Sequence, residues 1–291
     1  MRYHGSVIRP PSEAQSYILQ ITYGCSHNRC TFCGTYQNKP FAVRPVEEVL
    51  EDIELARGLV PAPRRVFLAD GDALVLSTEK LAHILDSLAG SFEHLERVGI
   101  YANARDLLRK SEQDLALLHK KGLGIVYLGL ESGSDAVLRD VQKGVLASEM
   151  LQAVRKAKAS GLMVSVIGIL GIAGPAGSEE HARETGRIVS EMDPQYLGLL
   201  TLMLVPGTEL YQQWQEGKFE LLDPQAMLLE LRQVIWHLEG LTQCVFRTNH
   251  ASNYLPLRGT LPGDKDGLLA AIDGALALGP SALRPEGWRG L

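Results

Sequence analysis

The stretch Ile21-Thr22-Tyr23-Gly24-Cys25-Ser26-His27-Asn28-Arg29-Cys30-Thr31-Phe32-Cys33-Gly34 holds three of the chain's four cysteines. An apolar, β-branched run over 17–23 leads into it, so the cysteines stand in a loop that follows a strand. Thiolates this close cannot share one helix face or strand face, but they can wrap one metal centre from a loop. Cys25, Cys30 and Cys33 lack the fourth ligand of a closed zinc site. Held on an iron–sulfur cluster instead, they leave one iron open for chemistry. His27, Cys244 and His250 are the remaining candidates for a fourth zinc ligand, so a zinc-binding, non-redox protein stays open as the alternative.

Outward from this loop the chain alternates strand-like and helix-like segments, which predicts a parallel α/β sheet. Strand runs fall at 17–23, 65–69, 98–101, 125–130, 163–170 and 196–204. Between them apolar residues recur every three or four positions, as in Val46, Val49, Leu50 and Ile53, or Leu81, Ile84, Leu85 and Leu88. Six strands suit a partial (β/α)6, TIM-like barrel; an open sheet covered on both faces is the other architecture the pattern allows. In either, sites gather in the loops after the strands. The cysteines, Asp70-Gly71-Asp72, Glu131-Ser132-Gly133 and the glycine-rich 171–177 segment all stand there. After Pro206-Gly207-Thr208 the alternation stops. Asp223-Pro224 opens a helix closed by Gly240, and a short helix is predicted over 265–278. We expect residues 1–205 to form the core and 206–291 a helical and loop extension packed on it.

Of 291 residues, 45% are hydrophobic and 22% charged, enough for a large buried core. No apolar run reaches the length of a membrane span, and the start carries no signal-like stretch. We therefore expect a cytoplasmic protein, whose clustered cysteines serve as ligands and not as disulfides. A net charge of −5 with no basic run argues against nucleic acid as the main partner.

Ile21-Thr22-Tyr23-Gly24-Cys25 followed by Cys30-Thr31-Phe32-Cys33 resembles the radical S-adenosylmethionine (radical SAM) superfamily. Gly129-Leu130-Glu131-Ser132-Gly133-Ser134-Asp135 is similar to a segment of its branch containing the elongator-like acetyltransferase subunit, methylthiotransferases and oxygen-independent coproporphyrinogen oxidase. The resemblance covers roughly residues 15–210. The first cysteine gap is one residue longer than usual, Cys-x4-Cys-x2-Cys in place of Cys-x3-Cys-x2-Cys. Membership implies a [4Fe–4S] cluster on Cys25, Cys30 and Cys33, with SAM on the open iron. It also implies reductive cleavage of SAM to a 5′-deoxyadenosyl radical that abstracts hydrogen from a substrate, fed by a reductase or a flavodoxin- or ferredoxin-type donor. A scaffold that binds cluster and SAM without turnover is the other possibility.

The same resemblance distributes SAM contacts. Phe32 is the aromatic before the last cysteine. Asp70, Gly71 and Asp72 occupy the place of a turn that binds the SAM amino group, to which carboxylates and carbonyls are suited. Glu131 corresponds to the residue that accepts from the ribose hydroxyls; as a plain structural residue it would cap the next helix. Ser165 is placed near the ribose or carboxylate and Ile172 near adenine, against the simpler reading of a buried strand with an ordinary loop. Arg139 and Lys143 are the candidate cations for the SAM carboxylate, otherwise solvated charges. His250, in the polar run 249–254, is the candidate proton donor of a substrate-facing loop, the alternative being a hydrogen-bonded capping loop. Cys244 is expected to be buried, and too few cysteines remain for a second cluster. The substrate, small molecule or peptide, is left open.

Overall fold

The structure, a computed structural model, describes residues 2–59 and 63–290. It forms two compact units, one of Met1–Asn28, Thr35–Leu128 and Gln152–Val164, the other of Arg29–Gly34, Gly129–Leu151 and Ser165–Leu291. The chain opens with strands β1 (Tyr17–Gln20), β2 (Thr22–Tyr23) and β3 (Ala42–Val43), then helix α1 (Val46–Leu59). Next come β4 (Arg65–Ala69), α2 (Thr78–Ser91), β5 (Arg97–Ala102), α3 (Ala104–Arg109), α4 (Glu112–Lys120) and β6 (Leu123–Glu131). Helices α5 (Asp135–Asp140) and α6 (Ala147–Ala159), strand β7 (Met163–Leu170), helix α7 (Gly174–Met192) and strand β8 (Tyr196–Thr201) complete the alternation. The remainder carries α8 (Glu209–Gln215), α9 (Pro224–Trp236), β9 (Cys244–Arg247), β10 (Arg258–Leu261) and α10 (Lys265–Leu278).

In the first unit β1, β4, β5 and β6 lie side by side, each pair parallel. Val66, Phe67, Leu68, Ile100 and Val126 are buried in this sheet, because strands covered by helices must be apolar on both faces. Val49 and Ile53 of α1, with Leu81, Ile84, Leu85 and Leu88 of α2, supply the covering layer. Ser77 caps α2, and Ser111 with Asp114 forms a capping box at α4. In the second unit β7, β8 and β9 are parallel and β10 runs antiparallel to β9. Helix α7 packs on α9.

The expected run 17–23 is two strands. After Gln20 the Ile21 amide donates to the Ala69 carbonyl, and Thr22–Tyr23 turns away to pair with Ala42–Val43. The expected strand 196–204 ends at Thr201, where Leu202 N–H donates back to Leu170 O. Helix α7 begins at Gly174, inside the glycine-rich 171–177 segment, because Pro175 in its first turn presets the helical φ. Residues 206–291 hold β9 and β10 besides helices and loops. Cys244 is fully buried in β9. Among the described residues no helix is long and apolar enough to cross a membrane.

Candidate functional site

The first unit builds the upstream end of the cysteine loop. Asp70, just past β4, is fully buried. Its Oδ2 accepts from Gln20 Nε2 (2.9 Å) and from Gly24 N–H (3.1 Å), and pairs with Lys39 Nζ at 2.6 Å. Its own N–H donates to Thr22 Oγ1 at 2.9 Å. Asp70 therefore fastens the backbone immediately before Cys25. Gly71 lies against the Tyr36 ring so closely that a Cβ would stand 2.4 Å from it. Asp72, also fully buried, accepts a hydrogen bond from Ser26, the residue after Cys25.

The two aspartates differ in charge environment. Asp70 faces a lysine. Asp72 faces a second carboxylate: burial first, then Asp106, push its carboxyl up to about 7, against the pull of the Ser26 hydrogen bond. One oxygen of each, Asp70 Oδ1 and Asp72 Oδ1, is buried without a hydrogen-bond partner among the described residues. A buried acceptor left unmet is costly unless something occupies it. Asp72, with no paired cation among the described residues, is the better match to an ammonium. His27 Nδ1 accepts from Arg105 Nη2 at 2.6 Å, which commits that nitrogen away from any metal.

The second unit holds the rest. Cys30, Phe32 and Cys33 sit in a short turn closed by Cys33 N–H to Cys30 O (3.1 Å), with Thr31 bonded to Val141 and Leu210. Phe32 packs with Ile169 and Ala173 against Val137, Val141 and Ile172. Phe32 and Ile172 thus meet in one apolar cluster, and Ile172 also lines a cleft of about 580 Å³ beside Gly177, Glu180 and Phe219. Cys25, Cys30 and Cys33 are all half-buried. Among the described residues no three Cys, His, Asp or Glu side chains gather tightly enough to hold a single metal ion.

Glu131 ends β6 in the left-handed region at φ 63°, unusual for a residue with a side chain. Its Oε1 receives Lys143 Nζ at 2.7 Å. Of the two candidate cations, Lys143 is engaged with the candidate ribose carboxylate, while Arg139 stands exposed on α5. Glu131 does not cap α5; Ser134 does. Ser165 is buried in β7, opposite Tyr196 of β8. His250 Nδ1 accepts from the Ser252 N–H (3.1 Å), and burial followed by Arg284 lowers its pKa. The loop around it is laced down: Asn253 bonds Thr201 and Leu199, and Arg284 donates to the carbonyls of residues 250, 251 and 253.

The sequence pattern assigns no role to Gln20, Ser26, Lys39 or Asp106. Gln20 and Ser26 flank recognisable features and could have been found by their strand-end position. Lys39 and Asp106 gave no local signal. Glu230 is a buried acid on α9, and its position among Met227, Leu231 and Val234 on the apolar face was the available clue.

The radical SAM superfamily model matches residues 19–185. An uncharacterized protein of Methanocaldococcus jannaschii is 25% identical over 233 residues, covering 76% of this chain and 70% of that one. The coproporphyrinogen III oxidase of Escherichia coli, described as a radical SAM enzyme, aligns with a TM-score of 0.58 at 17% identity over 78% of this chain and 53% of that one. A methylornithine synthase aligns with a TM-score of 0.55 at 18% identity, over 79% of this chain and 63% of that one. The chain thus spans less than two thirds of either solved chain. Their likeness shows the fold, the α/β partial barrel of TIM type expected from the sequence.

Proposed function

Since the chain belongs to the radical SAM superfamily, enzymes built on a [4Fe–4S] cluster and SAM, we propose that Cys25, Cys30 and Cys33 hold its cluster and that Asp72 receives the SAM ammonium. What the bound pair supplies is reductive cleavage of SAM and abstraction of hydrogen from a substrate. The protein's part is to bind, orient and exclude water. Asp70 anchors the loop ahead of Cys25, Glu131 accepts from the ribose hydroxyls with Lys143 beside it, and Phe32 and Ile172 offer an apolar wall to adenine. Ser165 and Arg139 complete the proposed SAM contacts, and His250 is assigned proton transfer through Nε2, since Nδ1 is committed.

The observation that carries this reading is the buried Asp72 Oδ1, which meets no hydrogen-bond partner among the described residues and belongs to a carboxyl tied to the cysteine loop through Ser26. Residues 1–205 then form the core and 206–291 the extension. A reducing compartment such as the cytoplasm suits three thiolates, and electrons come from a reductase or a flavodoxin- or ferredoxin-type protein. The acidic chain favours a small-molecule or peptide substrate over nucleic acid.

The test is anaerobic purification with iron and sulfide analysis, then incubation with SAM and dithionite. We expect brown protein, loss of iron and visible absorption in Cys30→Ala, and release of 5′-deoxyadenosine. One zinc per chain without iron or sulfide overturns the reading. Cluster and SAM binding without 5′-deoxyadenosine, even with candidate substrates, would assign a scaffold.

A further inference from the structure

Helix α9 belongs to the extension, outside residues 19–185 matched by the family model, yet it reaches the turn after β7. Glu230 is the reason. Its side chain is fully buried, and Oε1 accepts the Gly171 N–H at 2.5 Å while Oε2 accepts from Ser178 of α7. Gly171 itself sits at φ 79°, and a Cβ there would stand 2.2 Å from Met227 Cε, one turn before Glu230 on the same helix. The turn is therefore shaped by α9 through one packing contact and one buried carboxyl acceptor.

The network continues across α7. His181 Nε2 lies 3.7 Å from Glu230 Oε1, and its Nδ1 meets Ser132 Oγ at 2.7 Å. Ser132 Oγ in turn accepts the Ser134 N–H at 3.0 Å. Nearby, Thr185 Oγ1 accepts the Gly133 N–H at 2.9 Å, and Ser134 donates to Glu180 at 3.1 Å. Burial holds His181 neutral, its pKa lowered to about 4, so it offers Glu230 no compensating charge. A buried carboxylate without a cation is expensive, and well-packed apolar side chains would stabilise this site more. Its two acceptor oxygens do what an apolar residue cannot: they fix a backbone N–H and a hydroxyl at the edge of the proposed SAM pocket.

We propose that Glu230 is a positioning residue, by which the extension sets the geometry of both the Gly171 turn and the Glu131-Ser132-Gly133 segment. The inference rests on the reading that these two segments contact SAM. It gives the extension a role in cofactor binding that the core motifs alone do not reveal. Residues placed by such a buried network tune affinity at a distance from the ligand, by factors of about three to thirty.

The test uses the full chain with its cluster. SAM affinity is measured by equilibrium dialysis for the wild type, Glu230→Ala, Glu230→Gln and Glu131→Ala, alongside iron content, melting temperature and amide hydrogen exchange of the 168–177 segment without SAM. Glu230→Ala should keep its iron, exchange faster in that segment and bind SAM about ten-fold more weakly. Glu230→Gln keeps an oxygen for the Gly171 N–H and an amide toward Ser178, and should restore most of the affinity. If Glu131→Ala weakens SAM binding while Glu230→Ala does not, the positioning role is wrong and the SAM site stands. If affinity in the Glu230 variants merely follows melting temperature, with no rescue by glutamine, Glu230 is a packing residue and the inference falls. Absence of SAM binding by the wild type removes both readings together.

Discussion

At Asp72, burial and a neighbouring carboxylate act in the same direction, and the carboxyl is raised to about 7. In the proposed role of Asp72 the SAM ammonium favours its ionised form, so the proton would leave as SAM binds. SAM should therefore bind more weakly as pH falls below about 7 and more tightly as it rises through that value. α-Amino groups, with pKa values of about 7.7–8.0, already lose part of their protons at about pH 7.5, so the profile should be fitted with the SAM ammonium as a second titrating group and the Asp72 limb read below about pH 7. Asp72→Asn should weaken binding and flatten the profile; an unchanged inflection in that variant would exclude Asp72 as its source. Glu230 titrates in the same range, raised to about 7 by burial, so Glu230→Gln is the necessary control and should leave the inflection in place. Glu131 presents a separate conflict, a carboxylate on a left-handed backbone that costs about 1–2 kcal/mol for a residue with a Cβ. Thermal melts should find Glu131→Gly more stable than Glu131→Ala by about 1 kcal/mol, while both lose SAM affinity. Equal stability would mean that the backbone has relaxed out of that region in the variants.

Gly171 is where one element meets another, and its substitution tests that contact. Gly171→Ala should destabilise by about 1–2 kcal/mol through φ alone, since Met227 Cε is a flexible tip that can withdraw. Adding Met227→Ala should not recover that cost, and full recovery would show that the clash had dominated. The helices and strands themselves were legible to different depths. Strands β4 and β7 and helix α10 fall where the pattern placed them, because each is a clean apolar or amphipathic run between turn residues. The 17–23 run looked continuous because nothing in it marks the break; the break comes from Ala69 and from Ala42–Val43, which are remote in sequence. Strand β9 is four residues long, too short to establish a period. The site divides in the same way. Asp70, Asp72 and Glu131 stood out because they follow strands, whereas Gln20 meets Asp70 across fifty positions and Glu230 meets Gly171 across fifty-nine. Local motifs announce themselves, but the residues that orient them are chosen by the fold.

For the molecule as a whole, a ligand that binds only the folded chain raises its stability by mass action. SAM at a hundred times its dissociation constant adds about 2.7 kcal/mol, which for a chain of this size raises the melting temperature by about 5 °C. Differential scanning fluorimetry under anaerobic conditions should show that rise, and Asp72→Asn should reduce it. No rise at saturating SAM would contradict binding to the native state. The tie between Asp70, Gly24 and Lys39 bears on a different process, the maturation of the protein. These bonds involve no metal, so the strand-side end of the cysteine loop is already fastened when the newly made chain folds. On the proposed ligand set of Cys25, Cys30 and Cys33, iron and sulfide would arrive at a loop whose entry point is set, and the ordering that remains would fall on the residues downstream of Cys25. Reconstitution should accordingly slow when Lys39 or Asp70 is altered, even where the final iron content is unchanged.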